Sequence, residues 1–472
     1  MPESKKATII ADMTPFNRSG PVELEAVLHY GDLDQPNEIT VVVHEDSAEN
    51  LNKLMKADLD VGTVFGANRI SGTTEDGVTF EADLEVFSNM QMDAFSGGIQ
   101  LSYLLGDFTV SNPPCEDCDC KFWVYGVANY KVSIGDQTTE IEFTKDKKTI
   151  RQRRANRIEF QIADRIWAIE DTMSGRWPQK NSSIKGSILS GRISTEFREG
   201  ETEAEIEPVV EDICALLSLA SGRDVKWVTQ SCERADNSSA RVRYRKPGLL
   251  DFNQGGVTSI NNWKTGNLKS FLETAYPIFS ADRDWWRPTT AILVHARAPS
   301  DVVSQCSMLN TLLDRITSKV NEDNYGNEIH EKIPERVENK LFLFVLDCVF
   351  KLFLLRKWPI EKTKAIAWKI KDWNAEPSFP QKVVRACQAL KIPPMSKTRI
   401  GFRHKLIHAG EMHKKLKTLD KQAEYLFELE GTVLLLLLNM LKFKGLVFLM
   451  DKPGYEPMEM SQLLTPPEKS EK

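Results

Sequence analysis

KFWVYGVANYKVSI, residues 121–134, alternates bulky and small side chains in the way a half-buried strand does. Its aromatic cluster, FWVY, is therefore read as core rather than as a platform for stacking bases. Similar runs surround it: VELEAVLHY (22–30), EITVVV (38–43), GVTFEADLEV (77–86), GIQLSYLL (98–105), TEIEF (139–143) and RIEFQIA (157–163). Gly, Asp and Asn punctuate them. Many short strands at near-regular spacing predict an antiparallel sandwich or barrel with one face of each sheet buried. No repeat of 20 to 50 residues is visible.

The pattern changes after residue 205. VVEDICALLSLASG places Val209, Val210, Ile213, Leu216 and Leu217 at helical spacing, with Gly222 as the stop. DVKWVTQ (224–230) reads as another strand. DWWRP (284–288) marks a change of character, and two adjacent tryptophans suit packing at a junction. Further on the period is helical. A helix capped at Ser300 carries Val302, Val303, Cys306, Leu309, Leu312, Leu313 and Ile316. NKLFLFVLDCVFKLFLLRKW (339–358) is apolar nearly all round, and Pro359 starts another helix. PQKVVRACQALKI (380–392) is stopped by Pro393 and Pro394, and a long apolar helix runs from about 420 to 446.

The expected organisation is α+β and multidomain: a tail at 1–20, an antiparallel β-rich, sandwich- or barrel-like domain at 21–205, a mixed α/β segment at 206–285, and an all-α helical bundle at 286–472. The length, 472 residues, fits two to four domains at ~150 residues each. The net charge of -6 argues against a surface coated in nucleic acid but leaves room for a local basic patch. The first residues lack a signal peptide's apolar core, and the run at 432–449 is broken by Asn439, Lys442 and Lys444. A cytoplasmic protein without a membrane span is expected. Eight cysteines in such a length are not a disulfide scaffold. Cys214, Cys232, Cys306, Cys348 and Cys387 are scattered, which fits free thiols in a reducing compartment.

One stretch gathers positive charge. RIGFRHKLIHAGEM, residues 399–412, sits in a segment (391–417) with eight Lys or Arg and only Glu411 acidic. On a helix His404 and His408 share a face. Arg403 and His408, five apart, point about 140° from one another on a regular helix. They converge only if Arg403 stands at a helix start, near Gly401, or if a second chain completes the site. An imidazole moves protons near neutral pH, and a guanidinium grips phosphoryl oxygens. RNA brings its own nucleophile, the 2′-hydroxyl, so phosphodiester cleavage here demands no metal. The plain reading of such a helix is a solvated basic face.

RHKLIHAG resembles the R-x4-6-H signature of HEPN domains, all-α ribonuclease modules. His404 stands where that family often has asparagine. The order of a β-rich half containing ISGTTEDGVTF, then LLSLASGRDVKW, then a helical half is similar to ApeA-like abortive-infection proteins, which end in a HEPN domain. The resemblance implies a metal-independent endoribonuclease with Arg403, His404 and His408 as the catalytic set. Arg399 would be an auxiliary phosphate contact, and Lys405, Lys414 and Lys415 would hold RNA. It also implies a homodimer or higher homo-oligomer with a composite cleft, RNA of host or phage (tRNA included) as substrate, and a phage component as trigger.

Two other features carry candidate chemistry. PPCEDCDC (113–120) offers Cys115, Cys118 and Cys120 at zinc-ligand spacing; His44 or a distant cysteine would have to complete a structural zinc site, and the alternative is a loop of free thiols. The resemblance raises the zinc reading, since ApeA-type proteins carry a zinc element outside the HEPN domain. TKDKKTIRQRRANR (144–157) carries seven basic residues and reads as a solvated hairpin tip, or as a phosphate contact. No G-x4-GK[ST], G-x-S-x-G or H-E-x-x-H motif is present, which removes the main support for ATPase, serine hydrolase and zinc protease chemistry. Against the nuclease stand a non-catalytic module that binds RNA or a partner through its basic face, and a β-sandwich ligand binder whose helices serve dimerisation.

Overall fold

A computed structural model describes residues 3–12, 21–30, 38–44, 69–92, 98–111, 120–129, 137–144, 147–154, 157–171, 189–234, 239–245, 260, 265–297, 301–325, 378–403, 406, 412–449 and 457–464. The chain divides into two compact units, Met1–Pro299 with Gly445–Phe448, and Ser300–Lys444 with Leu449–Lys472.

The first unit is built on antiparallel strands: β1 (Glu3–Asp12), β2 (Pro21–Tyr30), β3 (Glu38–His44), β4 (Arg69–Thr74), β5 (Thr79–Met92), β6 (Gly98–Ser111) and β7 (Cys120–Ala128). Then come β8 (Gln137–Thr144), β9 (Lys147–Arg154), β10 (Arg157–Ile162), β11 (Arg165–Asp171) and β12 (Leu189–Glu196), followed by β13 (Lys226–Arg234) and β14 (Ser239–Tyr244). The large sheet runs β10-β11-β12-β7-β13-β14-β6-β3-β2-β1-β4-β5, and β5 returns to pair with β6. That last pairing closes β6, β3, β2, β1, β4 and β5 into a ring, so the barrel expected from the alternating runs is present. The segment expected as a tail supplies β1, paired residue for residue with β2 from Glu3↔Tyr30 to Asp12↔Pro21.

Alternation decides which face is inside. Leu24, Ala26 and Leu28 of β2 point inward with Ile39 and Val41 of β3, and with Phe80, Ala82 and Leu84 of β5. On β6 the phase changes. Leu101, Tyr103 and Leu105 are buried, then Phe108 and Val110, with two consecutive buried residues at Leu105 and Gly106. At that point β6 changes partner, from β3 (residues 98–104) to β14 (residues 108–111). β5 follows the change with register shifts between Ala82 and Leu84 and between Leu84 and Val86.

The far half of the sheet is covered by helices α1 (Glu203–Ser221), against β13, and α2 (Thr265–Ala281), against β10, and α3 (Arg283–Ala296) packs on α1. α1 begins where the Thr202 N–H donates to Glu205 Oε2 at 2.9 Å, and ends at Gly222, which takes φ 67 and donates to the Ser218 carbonyl. Asp212 is fully buried in α1. Arg283 Nε reaches its Oδ2 at 2.6 Å and Arg287 Nε its Oδ1 at 2.9 Å, so two turns of α3 are fastened to α1 by one carboxylate. DWWRP thus lies inside α3 of this unit, where Trp286 packs against Phe279. The basic run at 144–157 supplies β9, which pairs with β8, and Arg157, which bridges Glu159 and Glu170.

The second unit contains α4 (Val302–Tyr325), α5 (Phe379–Ala389), α6 (Lys397–Ile400), α7 (Leu419–Met440) and α8 (Met460–Leu463). Asp301 caps α4, accepting from the Ser304 N–H at 2.9 Å, and the hydroxyl and N–H of Ser304 hold its carboxyl below the usual range. α4 packs against both α5 and α7. α5 ends before the two prolines, with Lys391 at φ 56.

The expectation of an all-α bundle over 286–472 is not met. Among the described residues this region has few helices, and α3 groups with the β-rich unit. The final apolar run is helical only to Met440. Lys442 then takes φ 57, and residues 445–448 leave for the first unit, where Val447 bridges Ile260 and Asn267 bonds the Leu446 backbone in both directions. Leu446–Val447 and Met458–Glu459 are extended as β15 and β16. Val447 and Phe448 are β-formers that bury better on a sheet-rich unit than as another helical turn. The helices expected at 339–358 and from Pro359 lie outside the described residues. No described helix is long and apolar enough to cross a membrane.

Gly72 of β4 tests the closure of the barrel. A Cβ there would stand 2.5 Å from the Thr8 carbonyl oxygen and 2.6 Å from Phe80 Cζ. Gly72→Ala is expected to cost about 1–3 kcal/mol, read from the urea midpoint. An unchanged midpoint would mean that β1 and β4 do not approach this closely.

Candidate functional site

The basic stretch begins in α6, and Gly401 breaks away from it. Phe402 then accepts a hydrogen bond from the Leu406 N–H at 3.4 Å, so Arg403 stands in the first turn of a new helical segment. Phe402 anchors this turn. It is buried, stacked on His413 with ring centroids 4.5 Å apart, and edge-on to Tyr425 at 5.6 Å. Tyr425 receives the Asn310 Nδ2–H at 3.1 Å, and burial pushes its phenol up to about 12. Leu406 is buried.

The two arginines of the stretch meet different fates. Arg399 is held by two carboxylates of α7, Glu428 directly and Glu424 at 3.6 Å. Its charge is therefore largely spent within the fold. Arg403 turns instead toward α4 and α5. Nη2 donates to Asp314 Oδ2 at 3.0 Å, and the guanidinium carbon sits 4.1 Å from the centroid of the Phe379 ring. Phe379 is the first residue of α5. The Arg403 side chain is 26% exposed, yet its Nε is buried with no hydrogen-bond partner among the described residues. Nε–H and Nη2–H form one side of the planar fork that grips two oxygens at once. One arm is occupied by Asp314; the other is unfilled.

Of the remaining candidates, Lys414 and Lys415 are exposed in the turn before α7, where the Lys415 N–H donates to His413 Nδ1 at 3.2 Å. His404, Lys405 and His408 lie outside the described residues. Asp314, Phe379 and His413 carry no signal of this role in the sequence. Asp314 and Phe379 lie 89 and 24 residues from Arg403, and no local spacing marks such pairs.

The cysteine motif has a different outcome. Cys120 is joined to Cys232 across β7 and β13, with sulfurs 2.06 Å apart. A sulfur committed to a disulfide has no thiolate to offer a metal, so Cys120 does not fit the zinc set in this state. Nor does the free-thiol reading hold for Cys232. Cys115 and Cys118 lie outside the described residues, and His44 ends β3. Among the described residues no cluster of three His, Cys, Asp or Glu side chains could hold a metal ion. Cys214, Cys306 and Cys387 are free and buried, and burial pushes each thiol up to about 12.

Against known proteins, no family model, curated protein or solved structure matches the chain. The resemblance to HEPN domains therefore rests on residues 403–410 and the order of the two halves.

Proteolysis without reductant, followed by mass spectrometry, is expected to recover the peptides of Cys120 and Cys232 linked through sulfur. Free alkylation of both in the native, air-equilibrated protein would contradict the pairing.

Proposed function

We propose that the second unit carries a metal-independent endoribonuclease site of HEPN type. Arg403 holds the scissile phosphate and His408 serves as acid and base. The half-filled fork of Arg403 is the observation that supports this reading: a guanidinium fixed by Phe379, with Nη2 on Asp314 and Nε without a partner among the described residues. A phosphate presents two oxygens at the spacing of that fork, and a doubly held phosphate is bound more tightly than a singly held carboxylate. Asp314 then acts as a placeholder that RNA displaces.

In the proposed step a base takes the proton of the 2′-hydroxyl and the 2′-oxygen bonds to phosphorus. The bond to the 5′-oxygen breaks, and that oxygen receives a proton. Arg403 offsets the charge that builds on the phosphoryl oxygens, and the exposed Lys414 and Lys415 add to the attraction for the RNA backbone. The setting drawn from the resemblance is anti-phage abortive infection, with RNA of the host or the phage as substrate and a homo-oligomer completing the cleft.

The ion pair with Asp314 also favours a second reading. In it Arg403 only staples α4 to the basic stretch, and the unit binds RNA or a partner without cutting it. Three variants separate the two. As a nuclease, Arg403→Ala and His408→Ala each lose roughly 10²–10⁴-fold in RNA cleavage in the presence of EDTA, with His408→Ala keeping its melting temperature. Asp314→Ala then cleaves at least as fast as wild type. As a staple, Arg403→Ala and Asp314→Ala destabilise alike and His408→Ala changes nothing. In the cell, growth arrest on infection should follow the cleavage pattern.

A further inference from the structure

A cavity of about 390 Å³ opens in the first unit, walled by α1, β13 and α3. Its size lies in the range of small-molecule sites, ~300–1,000 Å³. Ala215 of α1 and Ala291 and Val294 of α3 give it an apolar wall. Opposite stands Trp227, which is buried and whose Nε1–H has no hydrogen-bond partner among the described residues. Arg245 lies over the Trp227 ring, its guanidinium carbon 4.7 Å from the centroid. The tryptophan fixes one face of the guanidinium, leaving the flat outer face for another ring.

The charges around this cavity do not cancel. Arg283 and Arg287 neutralise the fully buried Asp212, and Arg287 also reaches Glu211, whose Oε2 takes its Nη1 at 2.6 Å. Arg245 Nη1 donates to Oε1 of that same Glu211 at 3.1 Å. Lys226 and Asp224 at the rim pair with each other at 2.7 Å. Three arginines against two carboxylates leave one positive charge, and among the described residues Arg245 is the arginine with the most donors to spare. One of its five N–H groups meets Glu211, no other meets a side chain of the described residues, and its side chain is 41% exposed.

We propose that this cavity binds a small aromatic carboxylate. The carboxylate meets the donors of Arg245 that no described side chain fills, and the ring lies between the guanidinium face and the wall of Ala215, Ala291 and Val294. A single excess charge selects a monoanion, and the wall with the Trp–Arg stack selects a flat body. Nothing in this depends on phosphodiester chemistry in the second unit.

Isothermal titration of the full chain with indole-3-acetate tests it, with indole and acetate as the separate halves and tryptamine as the cationic counterpart. Saturable binding of indole-3-acetate is expected, with each half much weaker and tryptamine excluded. Arg245→Ala should weaken binding about tenfold or more, the loss of one charged hydrogen bond. Ala291→Trp, which fills the cavity from an exposed helical position, should abolish binding while leaving the urea midpoint unchanged. Should Arg245→Ala fail to fold, Ala291→Trp alone decides. Absence of saturable binding at millimolar indole-3-acetate, equal affinity for tryptamine, or wild-type affinity in a folded Ala291→Trp would overturn the proposal.

Discussion

Strand β6 must satisfy hydrogen bonds on both edges along fourteen residues, and the first unit is arranged around how it does so. One edge belongs to β5 throughout. The other belongs to β3 for residues 98–104 and to β14 for residues 108–111. Between them, at Gly106, the inward face of the strand shifts by one residue, from Leu105 to Phe108. A strand in a single regular sheet cannot do this without burying the wrong side chains. The shift lets one strand serve a closed barrel and an open sheet. Asp107 beside it accepts from Arg243 at 2.9 Å, tying the change of partner to β14.

From that open sheet follows the placement of α1 and α3. β13 carries α1, and the buried Asp212 of α1 holds two arginines of α3. The cost of burying a carboxylate is met by two charged partners, so either arginine lost alone would strip one carboxylate oxygen of its donor inside the fold. The cavity proposed to hold an aromatic carboxylate exists because this clamp sets the separation of the two helices beside Trp227.

What the sequence revealed was local. The alternation in VELEAVLHY and RIEFQIA marked β2 and β10, and Gly222 marked the end of α1, because period and φ > 0 are written in neighbouring residues. What it hid was non-local. Nothing near residues 3–12 shows that β2 and β4 lie in wait for them, and nothing in KFKGLVF shows that Val447 will meet Ile260. The all-α expectation for the second half fails for that reason: α3 and residues 445–448 find their partners in the β-rich unit, far away in sequence. In the candidate site the basic stretch was legible, but the difference between Arg399 and Arg403 was not. It lies in carboxylates on α4 and α7: two of them hold Arg399, and one holds a single arm of Arg403, whose Nε meets no partner among the described residues.

The central functional claim is that Arg403 and His408 act on a phosphodiester whose own 2′-hydroxyl attacks. The ends of the products report this directly. Wild-type protein in EDTA, given an RNA and the same RNA carrying a single 2′-deoxy residue at the mapped cut, should leave 2′,3′-cyclic phosphate and 5′-hydroxyl termini on the first and spare that bond in the second. Cleavage of the deoxy-substituted bond, or 5′-phosphate termini, would contradict the account.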